Sequence, residues 1–168
     1  LKLLKRKKSA VITEKPMEVD RKDVRLKIDK SSDFYKQIQM VHLKQEDLIQ
    51  LRRLKPLVEN NIQGIVNQFY KNLEHESSLM DIIEDNSSIE RLKQTLTVHI
   101  QEMFNGQIDD AFLEKRLKIA NIHFRIGLEP KWYMCAFQDL LFSLMKLINN
   151  HTESKEDFYL AIDATRKY

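Results

Sequence analysis

The chain is poor in the residues that break helices or cross-link strands. Its 168 residues hold only 3 Gly, 3 Pro and a single cysteine, Cys135. So few turn-formers cannot supply the many tight connections of an all-β or loop-rich fold. One cysteine excludes an internal disulfide and any multi-cysteine metal site, which suits a cytoplasmic location. No apolar run approaches the roughly 18 residues that a membrane-spanning helix needs, and the basic head lacks the apolar stretch of a secretory signal. Net positive charge is confined to that head. Lys2, Lys5, Arg6, Lys7 and Lys8 together exceed the whole-chain net charge of +3, so the remainder is slightly acidic and nucleic acid is not an expected partner. What is present is 42% apolar and 32% charged residues. That balance suits one helical domain, long enough to bury a core and a ligand.

Residues 1–32 mix charged and apolar types without a sustained period, and Pro16 interrupts them. They read as a flexible basic extension, with the folded domain over 33–168. A short helix is expected from Asp33 through Phe34, Ile38 and Val41. Leu48, Leu51 and Leu54 recur at helical spacing up to Pro56, which suits the first position of a new helix. Val58, Ile62, Ile65, Val66, Phe69, Tyr70 and Leu73 form the stripe of that helix. Ser87 and Glu90 read as a capping box opening a helix with Ile89, Leu92, Leu96, Ile100 and Met103 inward, closed by Asn105-Gly106. Asp109-Asp110 opens another, with Phe112, Leu113, Arg116, Ile119, Ala120 and His123 along one side. Gly127 and Pro130 separate it from the apolar segment Trp132 to Ile148. A last helix starts near Ser154 and is still running at Tyr168, so truncation is expected there.

About seven helices of unequal length and no strands imply an all-α, globin-like packing rather than a regular four-helix bundle. The Trp132–Ile148 helix is apolar nearly all round. Met134, Phe142 and Met145 extend beyond the face formed by Tyr133, Phe137, Leu140, Leu141, Leu144 and Ile148. Such a helix is buried on two sides, the second against either its own domain or another subunit.

His99 and His123 fall on or beside apolar faces, whereas His42, His75 and His151 sit in polar surroundings. A histidine on an apolar face is more often a hydrogen-bonded core residue than a ligand. Three hydroxyls, those of Tyr70, Thr95 and Tyr133, shift that balance for His123. A buried hydroxyl without a partner costs about 1–3 kcal/mol, so several converging on one imidazole suggest a ligand that satisfies them. Haem suits the inventory. Phe69, Leu92, Leu96, Ile119 and Phe137 are the apolar walls it needs, His123 a neutral imidazole for iron, and Arg91, Arg125 or Lys131 a basic rim for its propionates. Periodicity is satisfied equally by such a pocket and by a plain core. There is no Gly-rich phosphate loop, no Ser/His/Asp arrangement and no distal acid–base pair, so turnover is not expected.

Several strings carry a family resemblance. They are Gln68-Phe69-Tyr70-Lys71-Asn72-Leu73-Glu74-His75-Glu76-Ser77-Ser78-Leu79, Leu92-Lys93-Gln94-Thr95-Leu96, His99-Ile100-Gln101-Glu102-Met103-Phe104, the segment around His123, and Ala136-Phe137-Gln138. From about residue 33 onward the chain resembles the globin-coupled sensors, and among them the sensor domains of Bacillus-type haem-based aerotaxis transducers. The resemblance implies a globin fold with an extra N-terminal helix, haem b, and reversible binding of O₂, with CO and NO as related ligands. It implies signal transduction rather than catalysis. By position it implies His123 as proximal iron ligand, Tyr70 and Thr95 as distal donors, and Tyr133 on the proximal side. Phe69, Leu92, Leu96, Ile119, Trp132 and Phe137 would line the cofactor, and Leu92 stands where ordinary globins carry a distal histidine. The expected partners are a second copy, packed through the last two long helices, and a downstream signalling domain or protein. Two departures stand out. The transducers' methyl-accepting region has no counterpart here, and Asn86 replaces a histidine of the family pattern. The alternative is a globin-like regulatory interaction module without haem.

Overall fold

A computed structural model describes residues 19–167. Among them run seven α-helices: α1 Asp33–Met40, α2 Gln45–Leu73, α3 Ser77–Asn86, α4 Ile89–Met103, α5 Asp110–Arg125, α6 Pro130–His151 and α7 Lys155–Arg166. Two short strands, β1 Arg25–Lys27 and β2 Gln107–Asp109, and a 3-10 turn at Arg21–Asp23 complete the elements.

The spine is α2, which packs against α4, α6 and α7. Leu48, Leu51, Val58, Ile62, Ile65, Val66 and Tyr70 lie on its buried stripe. Ile100 and Met103 of α4, Leu140, Leu144 and Leu147 of α6, and Ala164 of α7 close on it. Small residues such as Ala161 and Ala164 let α7 approach closely.

Pro56 does not begin a helix; it lies inside α2. An interior proline removes a backbone hydrogen bond and costs about 3 kcal/mol in an isolated helix. Here Leu48 and Leu51 before it and Val58 and Ile62 after it are all buried, so an unbroken helix places both halves on one core. The α4 cap also differs by one residue. Ser88, not Ser87, is the N-cap and accepts from the Arg91 N–H, while Ser87 ends α3 and Glu90 pairs with Lys93.

The flexible extension expected over 1–32 does not hold for residues 19–32, and its basic run lies outside the described residues. Val24 is buried, and Leu26 and Ile28 pack against the core. Between them β1 pairs in parallel with β2, matching Arg25 to Gln107, Leu26 to Ile108 and Lys27 to Asp109. No strands are expected from the sequence pattern. These two form because burial of Val24 and Ile108 is joined to a ladder only tertiary contact can supply.

Gly106 ends α4 at φ +70°. A Cβ there would lie 3.0 Å from the Leu48 carbonyl oxygen and 3.2 Å from Arg52 Cβ, so this turn needs glycine for space as well as conformation. Between α5 and α6, Gly127 at φ +74° donates its N–H to the Phe124 carbonyl, and the Leu128 N–H reaches the His123 carbonyl at 3.1 Å. This paired cap closes α5 and fixes the backbone at His123. Pro130 then occupies the first turn of α6.

Candidate functional site

Among α2 to α7, α5 is the one helix with no buried residue. Its least exposed residues are Phe112, Leu113, Arg116, Ile119, His123 and Ile126, the last at its C-cap; they form a helical stripe that is only half covered. Opposite, α4 offers its own half-buried stripe of Leu92, Leu96 and His99. A cavity of about 450 Å³ lies between the two helices. Thr95, Val98, His99 and Glu102 line it from α4, and Arg116, Ile119 and Ile122 are among its α5 walls.

His123 is half-buried on α5. Its Nδ1 is fully buried and has no hydrogen-bond partner among the described residues. Burial holds the imidazole below its ordinary pKa, so the ring is neutral at neutral pH. A neutral imidazole is the form that coordinates metal. The Tyr133 ring lies 5.6 Å away, tilted by 57°, at the start of α6. No group of three His, Cys, Asp or Glu side chains suited to a metal ion occurs among the described residues. A single neutral imidazole with an unpartnered nitrogen is the donor that a haem iron takes from a protein, so His123 fits that group.

Tyr70 is 8% exposed, and burial pushes its hydroxyl up to about 12, so it stays protonated and able to donate. Its ring meets Phe69 edge-on at 5.2 Å. Thr95 is exposed and its Oγ1 donates to the Arg91 carbonyl at 3.0 Å, so that donor is engaged within α4. Phe69, Leu92 and Leu96 are partly buried against the main core. Trp132 is half-buried with Lys131 Nζ 5.2 Å from its ring, and Phe137 is half-buried on α6. Of the expected site residues, Thr95 and Ile119 share the α4–α5 cavity and His123 meets Tyr133. The cavity wall does not include Tyr70, Phe69, Leu92, Leu96, Trp132 or Phe137. Of the expected rim, Arg91, Arg125 and Lys131 are all exposed, and Lys131 pairs with Glu129.

A polar cluster went unassigned in the sequence. Arg116 Nη2 donates to Glu102 at 2.9 Å, Lys115 reaches the other Glu102 oxygen at 2.9 Å, and Arg116 Nη1 faces His99 Nδ1. Burial lowers the His99 pKa to about 4; the Arg116 charge and His123 add to this and Glu102 opposes it. Burial raises the Glu102 carboxyl, but its bonds to Lys115 and Arg116 and their charges outweigh that and leave it lowered. The signal was a shared face: His99 follows Leu96 by three residues and Glu102 follows His99 by three.

Comparison with known proteins shows the fold and the family. The globin domain of the Geobacter sulfurreducens globin-coupled sensor superposes with a TM-score of 0.74 at 22% identity, over 79% of this chain and 88% of that one. That likeness shows the fold, an all-α globin fold. The heme-based aerotactic transducer HemAT of Halobacterium salinarum is 29% identical over 84 residues, which are 49% of this chain. The match takes in 17% of the transducer, so this chain spans a small part of that relative's length. No described helix is long and apolar enough to cross a membrane. Residues 30–168 match the protoglobin family, and the chain belongs to that family, resembling the globin domains of globin-coupled sensors.

Proposed function

We propose that this chain is a haem-based oxygen-sensing domain that binds O₂ reversibly and passes its ligation state to a signalling partner. The observation that carries the reading is His123: half-buried, neutral, with a buried nitrogen that no described residue satisfies, on a helix with no fully buried residue. Haem b, when bound, supplies the iron at which O₂ is held, with CO and NO as related ligands. His123 is the proximal ligand. Tyr70 supplies the first distal O–H, because burial keeps it protonated and it makes no hydrogen bond among the described residues. Thr95 is the second donor once its bond to Arg91 is given up. Phe69, Leu92, Leu96, Ile119, Trp132 and Phe137 supply the apolar walls. These are binding and positioning roles; the chain is not an enzyme.

Tyr133 links His123 to α6, so a shift of the imidazole is felt at the start of that helix. Met134 and Phe142 on α6 and Tyr159 and Leu160 on α7 are 49–68% exposed. Packing of these helices against a second copy would cover them and give the signal a route between subunits. The setting is cytoplasmic. The aerotactic function named for the Halobacterium salinarum relative suggests the class of output.

Haem reconstitution tests the reading. The wild-type chain should show a sharp Soret band that moves with O₂ and with CO, and His123→Ala should lose or broaden it. An absent band, or an identical one in the variant, rejects the assignment and favours a globin-like interaction module without haem. Sedimentation at micromolar concentration tests the dimer, which a monomer with and without haem would refute.

A further inference from the structure

With no buried residue of its own, α5 rests on the core through partly buried Phe112 and Leu113 and is otherwise held by a few polar anchors. At its root, Asp109 caps the helix by accepting from the Phe112 N–H at 3.0 Å, β2 pairs with β1, and Arg25 reaches Asp109 at 3.7 Å. Two turns further on two side chains meet α4: Lys115 reaches Glu102 at 2.9 Å, and beside it stands the more deeply placed Arg116. Its Nη2 donates to Glu102, its Nη1 faces His99 Nδ1, and its guanidinium carbon lies 4.3 Å from the Phe112 ring centroid. The Arg116 side chain is 18% exposed and its Nε is buried with no partner among the described residues. A forked, planar cation that meets two α4 side chains at once resists both sliding and rotation of α5.

Arg116 also stands between two cavities. It lines the 450 Å³ space between α4 and α5, and it lines a second cleft of about 280 Å³ under α1. That cleft is walled by Phe34, Ile38 and Val41 on one side and by Phe112 and Leu113 on the other. Arg116 is thus common to the walls of both spaces that flank α5.

We infer that Arg116 is the positioning residue that sets the placement of α5, and through it His123, by bracing the helix on His99 and Glu102. His123 is two helical turns beyond Arg116 on the same stripe, so a small rotation of α5 at the brace is carried to the imidazole. The same rotation opens or closes the cleft under α1, which makes the N-terminal helix the second element to register it. The inference deepens the functional reading and rests on it only for the identity of the group that His123 holds.

Amide hydrogen exchange on the full haem-free chain tests the brace without depending on haem. Arg116→Lys keeps the charge and loses the fork. It should speed exchange across residues 112–125 by about tenfold or more and leave the buried stretch 58–70 of α2 unchanged. Glu102→Gln and His99→Gln, which keep an acceptor, should give smaller changes in the same segment. In the haem-loaded chain, Arg116→Lys should also alter the rate of CO release while the Soret band persists. Equal acceleration in α2 and α5, or none in α5, overturns the inference. A chain that takes no haem yet shows the localised exchange effect refutes the haem reading and leaves the brace intact.

Discussion

The α2 spine and the α5 helix are held by different physics. α2 buries seven side chains, among them Leu48, Val58 and Val66 at zero exposure, and α4, α6 and α7 close around it. α5 buries none: Phe112 and Leu113 pack on the core only in part, and a cap, a three-residue strand pairing and the contacts of Lys115 and Arg116 with α4 complete its hold. Apolar burial is cooperative and indifferent to small changes of angle. Directional polar anchors fix a geometry while leaving space on both sides. The flank of the cavity between α4 and α5 is therefore built largely from the second kind of contact, and the frame around α2 from the first.

The comparison can be broken most strongly in the core. Leu51→Ala, at 1% exposure, should cost about 2–5 kcal/mol of unfolding free energy in urea denaturation. Ile119→Ala, on the half-covered α5 stripe, should cost less than about 1 kcal/mol. Equal costs would mean that α5 is as tightly packed as α2.

Acid should next loosen the α4–α5 region. His99 titrates near 4 in the fold against an ordinary value of 6.5, and His123 is also lowered. Between those values the unfolded chain binds the extra proton, so stability falls as pH drops from about 6.5 through 4. For His99 alone the loss is on the order of 3 kcal/mol. Glu102, lowered by its Lys115 and Arg116 partners, adds a loss below its own ordinary range. Arg116, Glu102 and His123 are the charged or titratable groups bearing on His99. His99→Gln should therefore flatten the pH–stability curve over that interval, and an unchanged curve would refute the assignment.

Glycine substitutions sharpen the contrast at the two ends of the site. Gly106→Ala meets Leu48 O and Arg52 at a positive φ and should cost about 1–3 kcal/mol. Gly127→Ala has a similar φ but open space, so about 1 kcal/mol is expected. Thermal unfolding of both variants measures the difference. The smallest effect belongs to Asp109→Ala, about 1 kcal/mol from the lost cap, read best as faster amide exchange over the first turn of α5.

Much of this was legible along the chain because the signals are local. The Phe112–Ile119–His123 stripe, the Asp109 cap, the Asn105-Gly106 stop and the Gly127–Pro130 break each depend on residues within a turn or two of one another. Pro56 misled because local sterics favour a boundary there, whereas the core on both sides of it favours continuity. β1 was unreadable for the opposite reason: three residues carry little propensity of their own, and their partner lies about eighty positions away. Thr95 reads as inward from its neighbours, yet its hydroxyl bonds to its own helix.

The amino-acid sequence alone determined the helical class, the globin-like order of helices and the candidacy of His123, Tyr70 and Tyr133, since periodicity, caps and family strings are properties of neighbours in the chain. Only the tertiary structure decided how α5 is carried. Which donor meets which acceptor across a gap, as Arg116 meets His99 and Glu102, depends on where two separate helices come to rest, and that is settled by the packing of everything around them.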